Sequence, residues 1–232
     1  MAHFNTSADA PVVQTGTISF KFEASDIPEV QDDSDVLKFL GIPVDGSKEQ
    51  MYNRLKEKGF SGYSWNEYLE GIFNGEQVKA FIGTNHGIVD RIKVVFPYTE
   101  ERLNKVKYNT LISRFGRNPK YTELRENKVI LEDEDISYEI TLHDRVYDAV
   151  YYLLRSDVNA NSWKEDFYRE YNARYKKPLS ELTQIELEEV LFSLPQRISD
   201  AIIGIVWFTL PEEHRIELYY DNLKNRPRGE DL

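Results

Sequence analysis

The alternation of apolar and polar positions predicts β-strands in the first half of the chain. Residues 17–23 alternate with a period of two, which is typical of a half-buried strand. The segments 68–73, 77–83 and 88–96 have similar patterns and are separated by short turns containing Asn and Gly, so they predict a three-stranded meander. The third of these strands is expected to bury Ile88, Ile92, Val94 and Phe96.

Four further strands are predicted in the second half. Residues 136–143 alternate regularly, and a turn leads from them into residues 146–154. Residues 202–210 are apolar on both faces, which favours a central strand, and 215–220 follow as the last strand. The strand at 136–143 is expected to turn Ile136, Tyr138, Ile140 and Leu142 inward.

Two helices are predicted before residue 120. Ser47 and Gln50 have the spacing of a capping box at the start of the first helix, and Gly59 suits its C-terminal end. The second helix is expected over residues 99–115. Its apolar stripe consists of Leu103, Val106, Leu111 and Phe115.

A pair of helices is predicted over residues 162–195. Ser162 and Glu165 are expected to cap the first helix, and Thr183 and Glu186 the second. Together the elements predict an α+β protein. Its sheet is mixed and mostly antiparallel, built of hairpins, with short helices packed on one face and the helical hairpin as an insertion.

The domain organisation follows from the same pattern. Residues 1–38 are expected to form an N-terminal strand and an acidic linker, and residues 39–232 a single α+β domain. The net charge of −11 is concentrated near the start of the sequence. Residues 1–46 contain eight acidic and two basic side chains, a net charge of −6. Such a field repels phosphate groups, so nucleic acid is not an expected partner.

Composition narrows the expected chemistry. No apolar run approaches the ~20 residues that span a bilayer, so membrane insertion is not expected. The polar start resembles no secretory signal, which predicts a soluble cytoplasmic protein. With no cysteine, disulfides and thiol chemistry are excluded. The four histidines, His3, His86, His143 and His214, have no ligand spacing, so neither a metal nor another cofactor is predicted.

The predicted strand at 136–143 carries polar groups that could support hydrolysis. Ser137 and His143 would lie about 20 Å apart along a strand, too far for a nucleophile and its base. Glu139 and His143 nevertheless remain the best residues for one alternative, a hydrolase-type enzyme whose acid and base converge from separate strands. A second alternative, a small-ligand carrier, requires a closed apolar pocket against the sheet.

An aromatic ridge lies on the first helix of the predicted pair. Trp163, Phe167, Tyr171 and Tyr175 recur every four residues and therefore share one helix face. One interpretation is that the ridge covers the sheet, with hydroxyl groups reaching water at its border. The other is that it binds a protein partner, because tyrosine and tryptophan are common anchors of interfaces.

Three segments together resemble a known group of sequences. They read FLGIPVDGSKEQMYNRLKEKGF at 39–60, EDEDISYEITLHDRVYDAVYY at 132–152 and IELYYDNLKNRPRGEDL at 216–232, and include the motifs LGIPVDGS and YYDNLKNRPRGEDL. In these segments the chain is similar to an uncharacterised family of proteins from gut Bacteroidales. The resemblance covers residues 39–154 and 202–232. It implies no activity, cofactor or site residue.

These observations favour a non-enzymatic protein that acts through protein–protein contacts or has a structural role. A protein partner or a homo-oligomer is expected. A more specific form of the hypothesis makes the chain a component of a larger assembly such as a phage particle, which would place it in a virion instead of the cytoplasm.

Overall fold

Nine strands are present in the computed structural model, which describes residues 35–62, 67–98, 100–211 and 215–226. They are β1 (Lys38–Phe39), β2 (Ile42–Pro43), β3 (Tyr68–Phe73), β4 (Glu76–Asn85), β5 (Ile88–Val95), β6 (Tyr121–Thr122), β7 (Asp148–Leu154), β8 (Ile202–Thr209) and β9 (Glu217–Asn222). Seven form one sheet in the order β3-β4-β5-β9-β8-β7-β6, while β1 and β2 form a separate pair. Every pairing among the described strands is antiparallel. The predicted α+β class is therefore confirmed.

Six α-helices accompany the sheet in the described part of the chain. They are α1 (Lys48–Glu57), α2 (Glu101–Gly116), α3 (Ile136–His143), α4 (Ala160–Arg174), α5 (Gln184–Ser193) and α6 (Gln196–Ser199). The predicted capping boxes of α1 and α5 are both formed, by Ser47 with Gln50 and by Thr183 with Glu186. No described helix is both long enough and apolar enough to cross a membrane.

The sheet separates two apolar cores. Helices α1, α2 and α3 contribute buried side chains to the first core, and α4, α5 and α6 contribute to the second. Neighbouring residues of β7 point to opposite sides, with Tyr151 in the first core and Tyr152 in the second. The short helices thus share one face as predicted, and the helical pair lies on the other face.

Residues 136–143 form a helix and not the predicted strand. The Asp135 carboxylate accepts a hydrogen bond from the Tyr138 N–H at 2.9 Å and caps the first turn. Asp144 ends the helix in the left-handed region, at φ +49°. Only Ile136 is buried, so the alternation of side chains did not reflect a half-buried strand. The side-chain cap at Asp135 therefore favours a helix over these residues.

The buried stripe of α2 also differs from the predicted one. Leu103 and Val106 are exposed, and the helix buries Asn104, Lys107, Tyr108 and Leu111. The Lys107 ammonium group lies 2.7 Å from Glu76 and 4.4 Å from the centre of the Phe96 ring. The aliphatic part of a lysine side chain can line a core while its ammonium group is paired, so a lysine in the sequence does not by itself indicate a solvent-exposed position.

A β-bulge changes the inward face of β5. The register with β4 shifts after Gly83, which pairs with Arg91, whereas the next residue of β4 pairs with Val89. Asp90 is the extra residue, and it reverses the alternation at the start of the strand. Val89 is therefore buried and Ile88 is exposed, contrary to the prediction. Ile92, Val94 and Phe96 are buried as expected.

The other observed boundaries of helices and strands differ by a few residues from the predicted ones. Helix α4 is capped by Asn159, whose side chain accepts from the N–H groups of Asn161 and Ser162, three residues before the predicted cap. The strand predicted at 17–23 lies outside the described residues. From residue 35 onward the described chain belongs to one compact unit, while the predicted boundary between residues 38 and 39 stays a prediction.

Candidate protein-binding surface

The aromatic ridge of α4 is part of the second core. Trp163, Phe167 and Tyr171 are buried against the sheet, and the Trp163 indole N–H donates to the carbonyl oxygen of Ile198 at 3.0 Å. Tyr175 is half-buried and its hydroxyl lies 2.6 Å from the Ser193 hydroxyl. The suggested partner-binding surface on these four residues is therefore corrected, because three of them are inaccessible and the ridge covers the sheet.

The residues considered for hydrolysis lie on the surface of α3. Glu139 and His143 are one helical turn apart, and the ~20 Å expected between Ser137 and His143 along a strand does not apply to a helix. A carboxylate oxygen of Glu139 lies 3.7 Å from Arg145, and the His143 ring packs beside Tyr138 with 5.4 Å between ring centres. Within the described residues, no group of three or more His, Asp or Glu could hold a metal ion.

One half of the second sheet face is left uncovered by the described elements. Helices α4 to α6 cover β7 and most of β8 on this side, where the half-buried Trp207 packs against the second core, while β3, β4 and β5 point side chains towards solvent. Ile72 on β3 has 60% of its surface exposed. We call this surface the open face; it consists of Tyr68, Glu70, Ile72, Gln77, Lys79, Phe81, Arg91, Lys93, Val95, Trp207, Glu217 and Tyr219.

A straight cross-strand row runs through the centre of the open face. Its members are direct partners across five strands, in the order Tyr68, Phe81, Lys93, Tyr219 and Trp207. The first two rings are 5.5 Å apart, and the last two are stacked at 3.9 Å with an interplanar angle of 4°. The central ammonium group lies 4.9 Å from the ring of its neighbour on β4. The row is therefore continuous.

A buried carboxylate fixes the inner end of the row. Asp221 is fully buried and accepts hydrogen bonds from Arg91 Nε at 2.5 Å, from Arg91 Nη2 at 2.9 Å and from the Trp207 indole at 2.7 Å. The Arg91 guanidinium also lies 5.1 Å from the centre of the Tyr219 ring. These contacts hold the indole and guanidinium planes in place, so this end of the surface is preorganised.

The basic side chains of the open face and its border are more exposed than the acids that pair with them. In each of three ion pairs the basic side chain is more exposed than the acid; the pairs are Arg91 with Asp221, Lys93 with Glu217 and Arg226 with Glu188. Lys79 is exposed, and its ammonium group lies 4.3 Å from the Tyr68 ring. The cross-strand partner of Lys79 is Glu70, so the more accessible charges of this face are the ends of Arg91, Lys93 and Lys79, with acids beside them.

The edges of the sheet are less suited to docking than this face. At the β3 edge, the N–H and carbonyl groups of Glu70 are already bonded to Ser61, at 2.8 and 2.7 Å. The strand at the other edge, β6, has only two residues. Strand addition needs a longer free edge, so the accessible apolar side chains of the open face are the stronger interaction feature.

A cavity of about 340 Å³ lies between α1 and the strands β3 and β4. Leu69, Ala80 and Ile82 form its apolar wall, and Lys48 and Glu49 lie at its mouth. The carrier alternative requires a closed apolar pocket, whereas this cavity is open to solvent.

Sequence reasoning missed the open face because its members lie on five different strands. A usable signal was nevertheless present: Tyr68, Ile72 and Phe81 occupy positions that point away from the first core, where polar residues are usual. Comparison with known proteins found no match to a family model, to a curated protein or to a solved structure. The resemblance to the Bacteroidales family stays a prediction.

Proposed function

We propose that the protein is a non-enzymatic binding module whose open face docks an acidic amphipathic helix of a partner protein. The observation that carries this proposal is the cross-strand row from Tyr68 to Trp207, in which half-buried side chains flank the buried Tyr219 ring and the central residue is a lysine. Contiguous exposed apolar surface of this kind marks interaction sites in soluble proteins.

The dimensions of the surface favour a single helix. Strands β3, β4 and β5 together span about 10 Å between their outer axes, which matches the diameter of one helix with its side chains, ~10–12 Å. The six residues of β3 are about 20 Å long, equivalent to ~13 helical residues. A partner helix would lie on the same sheet face as α4 and extend the helical layer.

A second copy of the chain fits the surface less well. Including β9 and β8, the open face measures roughly 19 by 20 Å, or about 400 Å², half of the ~800 Å² that each partner buries in a standard interface. Each copy also has a net charge of −11 and presents the same cations, so two open faces repel each other.

Charge complementarity determines the chemistry of the partner. The exposed ends of Lys79, Arg91 and Lys93 favour carboxylates at the flanks of the docking helix, and the rings between them favour an apolar stripe. The finer hypothesis that the partner belongs to a phage particle or another large assembly stays a prediction, as does the location of the protein in cytoplasm or virion.

Fluorescence anisotropy with two designed helical peptides tests the proposal. Both have the same leucine stripe, one flanked by glutamates and the other by lysines. We expect the full chain to bind the acidic peptide at least tenfold more tightly. Phe81→Ala and Lys93→Glu should each weaken this binding, whereas Lys56→Glu on α1 serves as the matched control and should leave it unchanged.

Three outcomes would contradict the proposal. They are the absence of saturable binding to the acidic peptide, equal affinity for both peptides, and binding that neither Phe81→Ala nor Lys93→Glu alters. Native mass measured at micromolar concentration tests whether a second copy of the chain occupies the open face instead. A dimer that Lys93→Glu dissociates would assign the open face to a second copy and overturn the proposed partner class.

A further inference from the structure

A polar cleft of about 270 Å³ lies at the start of β7, away from the residues of the open face. Three segments line it together with Tyr108 of α2; they lie at residues 125–128, 144–148 and 180–183. An ion pair between Arg125 and Asp148 lies in the cleft, and each of these side chains is only 9% exposed. The second oxygen of Asp148 accepts from the Gln184 N–H at 2.9 Å, so this carboxylate is fully engaged by the protein.

The cleft contains a tyrosine hydroxyl group that is not hydrogen-bonded to any described residue. Tyr108 on α2 is 1% exposed and lines the cleft, and within the described residues its hydroxyl makes no hydrogen bond. Its electrostatic neighbours are Asp148, Arg125 and Arg145. Burial raises the pKa of the Tyr108 hydroxyl, so the group stays protonated and available as a donor. A ligand acceptor in the cleft can therefore pair with this donor.

The Arg125 guanidinium adds further donors beside this hydroxyl. Among the described residues it makes one hydrogen bond, to Asp148, while a guanidinium group has five N–H donors. Arg145 is less available, because its guanidinium lies 2.5 Å from Glu134, which also accepts from the Tyr147 hydroxyl at 2.5 Å. The inner part of the cleft therefore offers donors from two neighbouring side chains.

The outer part of the cleft has the opposite character. Glu126, Asp144 and Glu181 line it and form no ion pair with another described residue. Lys128 is the single basic residue of this outer group. The inner ion pair is neutral overall, so the rim has an excess of negative charge. A simple anion would be repelled at this rim, and a simple cation would leave the inner donors unpaired.

We infer that this cleft binds a small zwitterion of the amino-acid type. Its carboxylate accepts hydrogen bonds from the Tyr108 hydroxyl and the Arg125 guanidinium, and its ammonium group faces the carboxylates of Glu126, Asp144 and Glu181. Charge-assisted hydrogen bonds of this kind are short and strong. At about 270 Å³ the cleft lies just below the ~300–1,000 Å³ of drug-sized ligand sites, which suits a ligand as small as an amino acid.

Isothermal titration calorimetry of the full chain tests the inference. Each common amino acid is titrated beside two derivatives, the amine that lacks the carboxylate and the N-acetyl form that lacks the ammonium charge. We expect at least one amino acid to bind with a Kd below about 1 mM, and both of its derivatives to bind at least tenfold more weakly, a difference of ~1.4 kcal/mol.

Two variants locate the binding. Tyr108→Phe keeps the buried ring and removes the hydroxyl, and Glu181→Gln changes an exposed rim residue without disturbing the core. Each should weaken binding about tenfold, whereas Tyr121→Phe, the matched control, and Phe81→Ala on the open face should not. The inference fails if no amino acid binds saturably, if the N-acetyl derivative binds equally well, or if neither cleft variant changes the affinity.

Discussion

Replacing Asp221 with alanine is the most informative single change beneath the open face. The side chain is fully buried at the centre of the sheet and accepts hydrogen bonds from Arg91 and from the Trp207 indole. A second guanidinium, that of Arg226, lies 3.6 Å away. The alanine variant therefore leaves two cations and one indole N–H without their common acceptor.

The expected loss can be estimated from these contacts. Breaking a buried ion pair by removing one partner costs ~3–5 kcal/mol, and an unsatisfied buried donor costs ~1–3 kcal/mol. Arg91 is 30% exposed and Arg226 also pairs with Glu188, so water and that carboxylate recover part of the cost. We therefore expect Asp221→Ala to lower the free energy of unfolding by about 3 kcal/mol, a large part of a typical total of ~5–15 kcal/mol.

Urea unfolding followed by tryptophan fluorescence measures this loss. The matched control is Asp157→Ala, which breaks an exposed pair with Arg155 and should cost less than about 1 kcal/mol. The double variant Arg91→Met with Asp221→Leu should recover much of the stability, because it removes both charges of the pair together. A loss below about 1 kcal/mol for Asp221→Ala would refute this account of the buried network.

Three further changes test other parts of the structure by urea unfolding. Gly71→Ala should cost about 2 kcal/mol because the added methyl group overlaps the Phe60 ring; a cost below ~0.5 kcal/mol would contradict this packing. Tyr152→Phe removes a buried hydroxyl without a partner among the described residues, so it should be neutral or stabilising. Tyr171→Phe is the contrasting change, because it loses a hydrogen bond to a backbone carbonyl. A larger loss of stability for Tyr152→Phe than for Tyr171→Phe would show that the Tyr152 hydroxyl has a partner outside the described residues. Burial raises the pKa of Glu188 above its ordinary 4.5, so this group's stabilisation is present below that pH and is lost as pH rises through its folded-state pKa. Glu188→Gln should therefore flatten the fall in stability above pH 4.5, and an unchanged slope would oppose that assignment.

The predictable parts of the fold depend on local signals. The capping boxes at Ser47 and Thr183 form as the spacing predicts, because only residues within one turn take part. The turn at Asn74-Gly75 has both residues at positive φ, +53° and +82°, which is the preference the sequence indicates. Strand β8 is apolar on both faces because it lies between β9 and β7 and beneath both cores.

The wrong predictions have non-local causes or competing local ones. Alternation favoured a strand at 136–143, but the Asp135 cap and the lack of a neighbouring strand among the described residues leave a helix as the way to satisfy the backbone. Lys107 is buried because Glu76 from another element pairs with it. The bulge at Asp90 depends on the register with β4, which no single segment encodes.

The candidate site shows the same limit. Four aromatic residues spaced along α4 were visible in the sequence, yet their spacing could not distinguish a buried ridge from an exposed one. The row from Tyr68 to Trp207 exists only after β9 inserts between β5 and β8. Strand order is a property of the whole fold, so this surface could not be assembled from the sequence.

Indole N–H signals in the NMR spectrum of the full chain test the central claim most directly. Trp207 lies on the open face, and Trp163 is buried in the second core as an internal control. Titration with the acidic amphipathic peptide should shift the Trp207 indole signal saturably and leave that of Trp163 in place. An unmoved Trp207 signal at saturating peptide, or equal shifts of both signals, would contradict the claim that the open face docks such a helix.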